Sequence, residues 1–208
     1  MSTFRGASVA TRLRFIRAAE LRASPWKNGG GITREIAIHP ADAGMDDFLW
    51  RISAAEVAAP GPFSHWEGVD RVLLVTHGGP VHLIQQHTQR TVVLPAGQAF
   101  RFTGEEPYCS ELPAGPVRDF NLMLRRTKAQ GHVTTCHGAA VQRLAPGHWL
   151  WHGWQGAYAV EVPGRLSQGV LEAGDTLHLS VASGDCPVLR MTPRTGDARL
   201  IVARIEYS

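Results

Sequence analysis

Short apolar or alternating segments recur along the whole chain, cut apart by glycine and proline, and no long stretch with a 3.6-residue period competes with them. The clearest are RVLLVTH, VHLI, TVVLPAG, FNLMLRR, YAVEV, TLHLSVA and RLIVARIEY, most of them four to eight residues long and rich in Val, Ile and Leu. Strands of that length between breakers close into a barrel or stack as a sandwich, so the chain is expected to be all-β. One segment, SAAEVAA, reads equally as a short helical turn or as the continuation of a strand.

A weak internal repeat refines this expectation. VHLIQQHTQRTVVLPAGQAFRF starts at Val81, and YAVEVPGRLSQGVLEAGDTLHL starts 77 residues later at Tyr158, aligning without gaps. The offset superposes Val93-Leu94 on Val170-Leu171 and Ala96-Gly97 on Ala173-Gly174. DFNLMLRR and RLIVARIEY then serve as equivalent final strands. Two copies of one β unit in 208 residues suggest two RmlC-like cupin barrels in one chain, a bicupin. Residues 1–130 are expected to form the first barrel and 131–208 a smaller second one.

Composition excludes several functions. Hydrophobic residues make up 44% and charged residues only 19%, which supports a packed core and argues against a disordered tail. The net charge is +3, but only Arg125, Arg126 and Lys128 cluster, so the stripe a nucleic acid needs is missing. Cys109, Cys136 and Cys186 are widely spaced and odd in number, as suits reduced thiols. Neither a signal-peptide core nor a run of about 20 apolar residues is present, so no membrane partner is expected and the location is expected to be cytoplasmic. Residues 4–22 carry five arginines, a faint likeness to a transit peptide, but RLRFIRA alternates like an edge strand and is read as one.

The metal pattern of cupins is degraded here. Metal cupins share the signatures G-x5-H-x-H-x3/4-E-x6-G and G-x5-P-x-G-x2-H-x3-N. The second is recognisable at Pro95-Ala96-Gly97, and the first can be laid over HWEGVDRVLLVTHG. The four ligand positions then hold His65, Glu67, Arg71 and Phe100. Phenylalanine has no donor atom and arginine is a cation at any accessible pH, so neither a metal nor another cofactor is expected. Arg71 becomes the informative residue. A guanidinium inside a small barrel needs a counter-charge. Either Asp70, Glu67 or Asp119 supplies it, or a ligand carboxylate takes the planar fork.

PWKNGGGITREIAIHP is the most unusual segment. Its three glycines permit left-handed backbone and close approach. The segment is either a tight turn into ITREIAI or an anion nest of backbone N–H groups assisted by Lys27. His77, His82 and His87 recur every five residues, fit no single face, and are read as surface histidines. In HWLWHGW, His148 and His152 share a face without an evident third metal ligand. Trp149 and Trp151 on the other face cover the second barrel or form a subunit contact in a homodimer. Ser64 lacks the G-x-S-x-G elbow of serine hydrolases.

From about Leu13 onward the chain resembles the HutD/Ves family. The resemblance rests on WKNGGGITREI, FLWRISAAEV, GPFSHWEGVDRVLLV and RDFNLMLRR, in that order. Within the family segment F-S-x-F-P-G-V-D-R, Phe63, Ser64, Gly68, Val69, Asp70 and Arg71 match, while Glu67 stands where proline is common. The resemblance implies a bicupin that senses or buffers a histidine-utilisation intermediate, with urocanate and N-formylglutamate as candidate ligands. It brings no established catalytic activity.

Strand alternation sorts the motif residues by face. Arg51 and Ser53 share one side of their strand, and Asp119, Asn121 and Met123 one side of theirs. If these faces point inward they join Arg71 in the first barrel. The expected ligand site is Trp26, Lys27, Asn28, Arg51, Ser53, Phe63, Ser64, Arg71, Asp119 and Asn121, with residues 26–28 as a loop lid. Such a lining suits a small anionic metabolite. Three functions fit: a metal-free carboxylate-binding regulator, a metal-independent isomerase or hydrolase with Asp119 or a histidine as general base, or an interaction module with a vestigial pocket.

Overall fold

The computed structural model describes residues 10–164 and 167–208. Residues 4–9 of the arginine-bearing stretch, and Arg165 and Leu166 of the second repeat, lie outside the described residues. The strands, in chain order, are β1 (Arg12–Ile16), β2 (Ala23–Pro25), β3 (Gly31–His39), β4 (Trp50–Val57), β5 (Gly61–Pro62), β6 (Val69–His77), β7 (Val81–Gln85), β8 (Thr91–Leu94), β9 (Ala99–Thr103), β10 (Tyr108–Glu111), β11 (Val117–Arg125), β12 (Ala129–His137), β13 (Ala140–Arg143), β14 (Gly147–Gln155), β15 (Ala157–Val162), β16 (Ser167–Glu172), β17 (Thr176–Val181), β18 (Val188–Pro193) and β19 (Arg199–Tyr207). A single 3₁₀ turn, Ala18–Glu20, accompanies them among the described residues. None of the described helices is long and apolar enough to cross a membrane.

The strands form two units, each built from two antiparallel sheets. In the first, the order β2-β3-β4-β11-β6-β9 stands with β5-β10-β7-β8. In the second, β1-β17-β14-β19-β12 stands with β13-β18-β15-β16. Adding eight to each strand number of β4-β11-β6-β9 and β5-β10-β7-β8 yields the second unit's order. The repeat seen between Val81 and Tyr158 is therefore a repeat of whole barrels, and the fold is an all-β bicupin.

The units are divided differently from the expected cut at residue 130. One comprises Ala19–Thr134 with Tyr207–Ser208, and the other takes the described residues up to Ala18 together with Thr135–Glu206. Thus β1 belongs to the second barrel, where it is the edge strand beside β17, with Arg12 opposite Ser180 and Ile16 opposite Thr176. Its alternation explains the choice: Leu13 and Phe15 pack against that barrel's core, leaving Arg12 and Arg14 outward. Arg17 then closes an ion pair with Asp175 at 2.7 Å, and the Ala18 amide donates to the other Asp175 oxygen.

Within the first unit, β4 runs through to Val57, so SAAEVAA continues a strand. Its ladder to β11, with Ala55 opposite Asp119 and Val57 opposite Val117, overrides the local helical propensity of the alanines. The core lies between the two sheets: Ala55, Val57, Leu73, Val75, Val81, Leu83, Leu94, Phe102, Tyr108 and Val117 meet there. All come from the inward positions of their strands, which fixes the direction of every neighbour two residues away.

Candidate functional site

That same alternation continues past the apolar core into a cavity of about 700 Å³ in the first barrel. On β4 the inward series runs Val57, Ala55, Ser53, Arg51; on β11 it runs Val117, Asp119, Asn121, Met123; on β6 it runs Val75, Leu73, Arg71. The ladders place Asp119 between Ala55 and Val75, Asn121 between Ser53 and Leu73, and Met123 between Arg51 and Arg71. On β4 and β6 the wall thus runs from apolar residues to an arginine, while β11 sets Asp119 and Asn121 between Val117 and Met123. All ten residues expected at the site line this one cavity.

Three of them are buried without partners. Arg71, Asp119 and Asn121 are 6%, 6% and 8% exposed, and Arg71 Nε, Asp119 Oδ1 and Asn121 Oδ1 make no hydrogen bond. Unpaired buried polar atoms are rare in folded proteins, because each forfeits its hydration without replacement. Burial draws the Arg71 guanidinium down to about 10, against the pull of Asp119 and with a push from Arg51. Burial likewise raises the Asp119 carboxyl to about 7, despite the Arg71 charge that opposes the rise. The two groups sense each other electrostatically but do not close into an ion pair. The guanidinium is held instead by aromatic faces, 5.1 Å from the Phe63 ring centre and 5.0 Å from that of Phe102.

The remaining carboxylates proposed as partners for Arg71 are elsewhere. Asp70 points from the opposite face of β6 and is bound at 2.7 Å by both Arg101 and Arg126. Glu67 is exposed beside His65, at 3.4 Å. Arg51, one of the residues expected at the site, is already engaged: its Nε donates to Glu35 at 2.8 Å. The regular β3–β4 ladder sets Glu35 opposite Ser53, just before a bulge that shifts the register at Ala37. Glu35 was not among the expected residues, although the alternation Gly31, Thr33, Glu35 marks it.

The Gly-rich segment is the tight turn rather than the anion nest. The Gly29 amide donates to the Trp26 carbonyl and the Gly30 amide to Asn28 Oδ1, so two of the nest's donors are already used. Gly29 adopts φ +71°, and a Cβ on Gly31 would stand 2.5 Å from the Glu56 carbonyl oxygen and 3.1 Å from the Trp26 ring. The turn presents the half-buried Trp26 to the cavity, its indole N–H fixed on Thr33 Oγ1 at 2.8 Å, with exposed Lys27 and Asn28 beside it. Phe63 and exposed Ser64 lie on the loop after β5; Met45 and Trp66, also not expected, line the wall.

The four positions of the cupin metal pattern do not assemble a donor set. Phe100 is stacked on Phe102 at 5.7 Å, Arg71 is a cation, and His65 and Glu67 are both exposed. Among the described residues no three His, Cys, Asp or Glu side chains are grouped to hold a metal ion. His152 in the second barrel bonds Thr176 Oγ1 at 2.8 Å, and burial lowers it to about 4. Trp149 and Trp151 are buried in that barrel's core, which removes them as a subunit contact. Of the histidines read as surface groups, His77 and His87 are exposed and His82 is half-buried.

Two antiparallel barrels in tandem with a polar cavity in one of them define a cupin-fold protein of the two-barrel class. Residues 18–193 match the HutD family model, and the chain belongs to that family. It is 37% identical over 113 residues to an uncharacterized 21.2 kDa protein in the hutC 3' region of Pseudomonas putida, covering 54% of this chain and 58% of that one. It is 38% identical over 122 residues to protein Ves of Cronobacter sakazakii, covering 58% of this chain and 65% of that one. The matches thus span less than two thirds of these relatives' length. The structure of HutD from Pseudomonas fluorescens SBW25 superposes with a TM-score of 0.77 at 27% identity, over 95% of this chain and 100% of the other. An oxalate decarboxylase of Bacillus subtilis shares the fold at a TM-score of 0.62 and 9% identity, over 96% and 78% of the two chains.

Proposed function

We propose that the first barrel binds a small carboxylate without a metal, and that the protein acts as a sensor or regulator of histidine utilisation in the cytoplasm. Urocanate and N-formylglutamate are the candidate ligands. One observation carries the reading: a buried guanidinium, gripped by two phenylalanine rings, faces a roomy cavity with its Nε–H unpaired. A carboxylate completes that group as no neutral ligand does, through a charge-assisted pair. The hutC-region relative supports the pathway, and three free cysteines suit a reducing compartment.

Asp119 supports a second reading. A carboxyl held near 7 beside a cavity has the proton affinity of a general base, as a metal-independent isomerase or hydrolase requires. Calorimetric titration of the protein with each candidate, followed by NMR of the same mixtures, separates the two. Saturable 1:1 binding with the ligand unchanged after hours is the expected result. Conversion of the ligand selects the enzyme, and absence of binding by both overturns the assignment of ligands.

A further inference from the structure

Arg71 accounts for only one of the three unpartnered buried groups on the cavity wall. The other two, Asp119 Oδ1 and Asn121 Oδ1, are acceptors, and they stand on the same face of β11 two residues apart, roughly 7 Å along the strand. The ladder partners of Asp119 are Ala55 and Val75, so no neighbouring side chain across either strand can donate to it. The cationic groups that share the cavity are committed or distant from water-free contact: Arg51 is paired with Glu35, Arg71 is stacked between two rings, and Lys27 is exposed at the turn. Among the described residues, no histidine lines the cavity. A ligand offering only a carboxylate satisfies Arg71 and leaves two buried acceptors facing it, one of them an acid. That arrangement adds like charge to an already desolvated carboxyl and is unfavourable.

We propose that the ligand class is narrower than carboxylates in general: a small carboxylate that carries its own N–H donor, seated with its carboxylate on Arg71 and its N–H on the Asp119 and Asn121 oxygens. This rests on the carboxylate reading of the site and adds polarity and direction to it. The separation of the Arg71 and Asp119 rungs sets the orientation. The anionic end lies at the Arg71–Met123 rung and the N–H end toward the Ala55–Asp119–Val75 rung. An amide, an imidazole or an ammonium group meets the requirement, whereas an ether, furan or hydrocarbon does not.

Matched pairs of probes test this by calorimetry at pH 7: urocanate against 3-(2-furyl)acrylate, and N-formylglutamate against glutarate. At least one N–H-bearing probe is expected to bind ten-fold or more tighter than its partner, the size of a hydrogen bond to a charged group. In Asp119→Ala and in Asn121→Ala, each checked for a native melting transition, the preference is expected to fall to about three-fold or less while Arg71 still binds both members. If both members of each pair bind the wild type within three-fold, the N–H requirement is wrong and the carboxylate site stands. If none of the four binds, the carboxylate reading fails and takes this inference with it.

Discussion

The two barrels share a strand order and differ in what fills them. Phe102 and Leu179 are related by the 77-residue repeat; Arg71 lies opposite the first and Trp149 opposite the second. One rung on, Leu73 opposite Phe100 corresponds to Trp151 opposite Leu177. Across the next strand pair, Asn121 beside Leu73 is replaced by Val202 beside Trp151, and Asp119 beside Val75 by Leu200 beside Gly153. The second barrel thus substitutes two indoles and two aliphatic side chains for a guanidinium, a leucine, an amide and a carboxyl. Its interior closes into one cluster with Trp151 and Leu200 fully buried. The first keeps a cavity with Arg71 Nε, Asp119 Oδ1 and Asn121 Oδ1 unsatisfied on its wall, whereas the unsatisfied atoms of the second, Trp151 Nε1 and Arg204 Nε, belong to packed side chains. A duplicated scaffold has therefore separated two tasks: one copy supplies packing, the other a site.

The largest effect should come from emptying the filled barrel. Trp151→Ala removes a wholly buried indole and is expected to cost about 3–5 kcal/mol in denaturant unfolding. A loss below about 1 kcal/mol would mean that the second barrel is not packed as described.

A smaller effect should come from the charge stored in the hollow barrel. The Asp119 carboxyl titrates near 7 when folded, well above the value of about 3.9 for an unfolded chain. The folded state therefore holds an extra proton between those values, and stability falls as pH rises through that window. Between pH 5 and pH 8 the loss from this group is about 2–3 kcal/mol. Asp119→Asn should flatten the curve and be the more stable protein at pH 8. Parallel pH profiles of wild type and variant would refute the buried, unpaired state of Asp119.

The smallest effect is expected at the relics of the metal pattern. His65→Ala and Glu67→Ala remove exposed groups and should change stability by under about 0.5 kcal/mol and carboxylate affinity not at all. A marked loss of affinity in either would place the ligand on the exposed turn instead of in the barrel.

The sequence made the all-β class legible because period-two patterning and breakers are local signals, and it made the repeat legible because both copies keep L-x-A-G ahead of a strand. Inward faces are legible the same way, so alternation alone groups Arg51 with Ser53 and Asp119 with Asn121. What stayed hidden was non-local. That β1 crosses to the other barrel depends on an edge 160 to 168 residues away, from Ile16–Thr176 up to Arg12–Ser180. That Glu35 neutralises Arg51 depends on how β3 pairs with β4, which alternation along β3 alone does not tell. That Asp70 faces away from its neighbour Arg71 follows from alternation, yet adjacency in GVDR suggested a pair.

Arg71 carries the central claim, and one variant read two ways tests it. Calorimetry and thermal melting of Arg71→Ala, with whichever of urocanate or N-formylglutamate binds the wild type, separate a ligand clamp from a structural ion pair. The clamp predicts a loss of about 2–4 kcal/mol in binding with the melting temperature largely kept, and Arg71→Lys restoring only part because a point charge cannot reproduce the fork. Unchanged affinity together with a steep fall in melting temperature would show that Arg71 serves Asp119 and not a ligand.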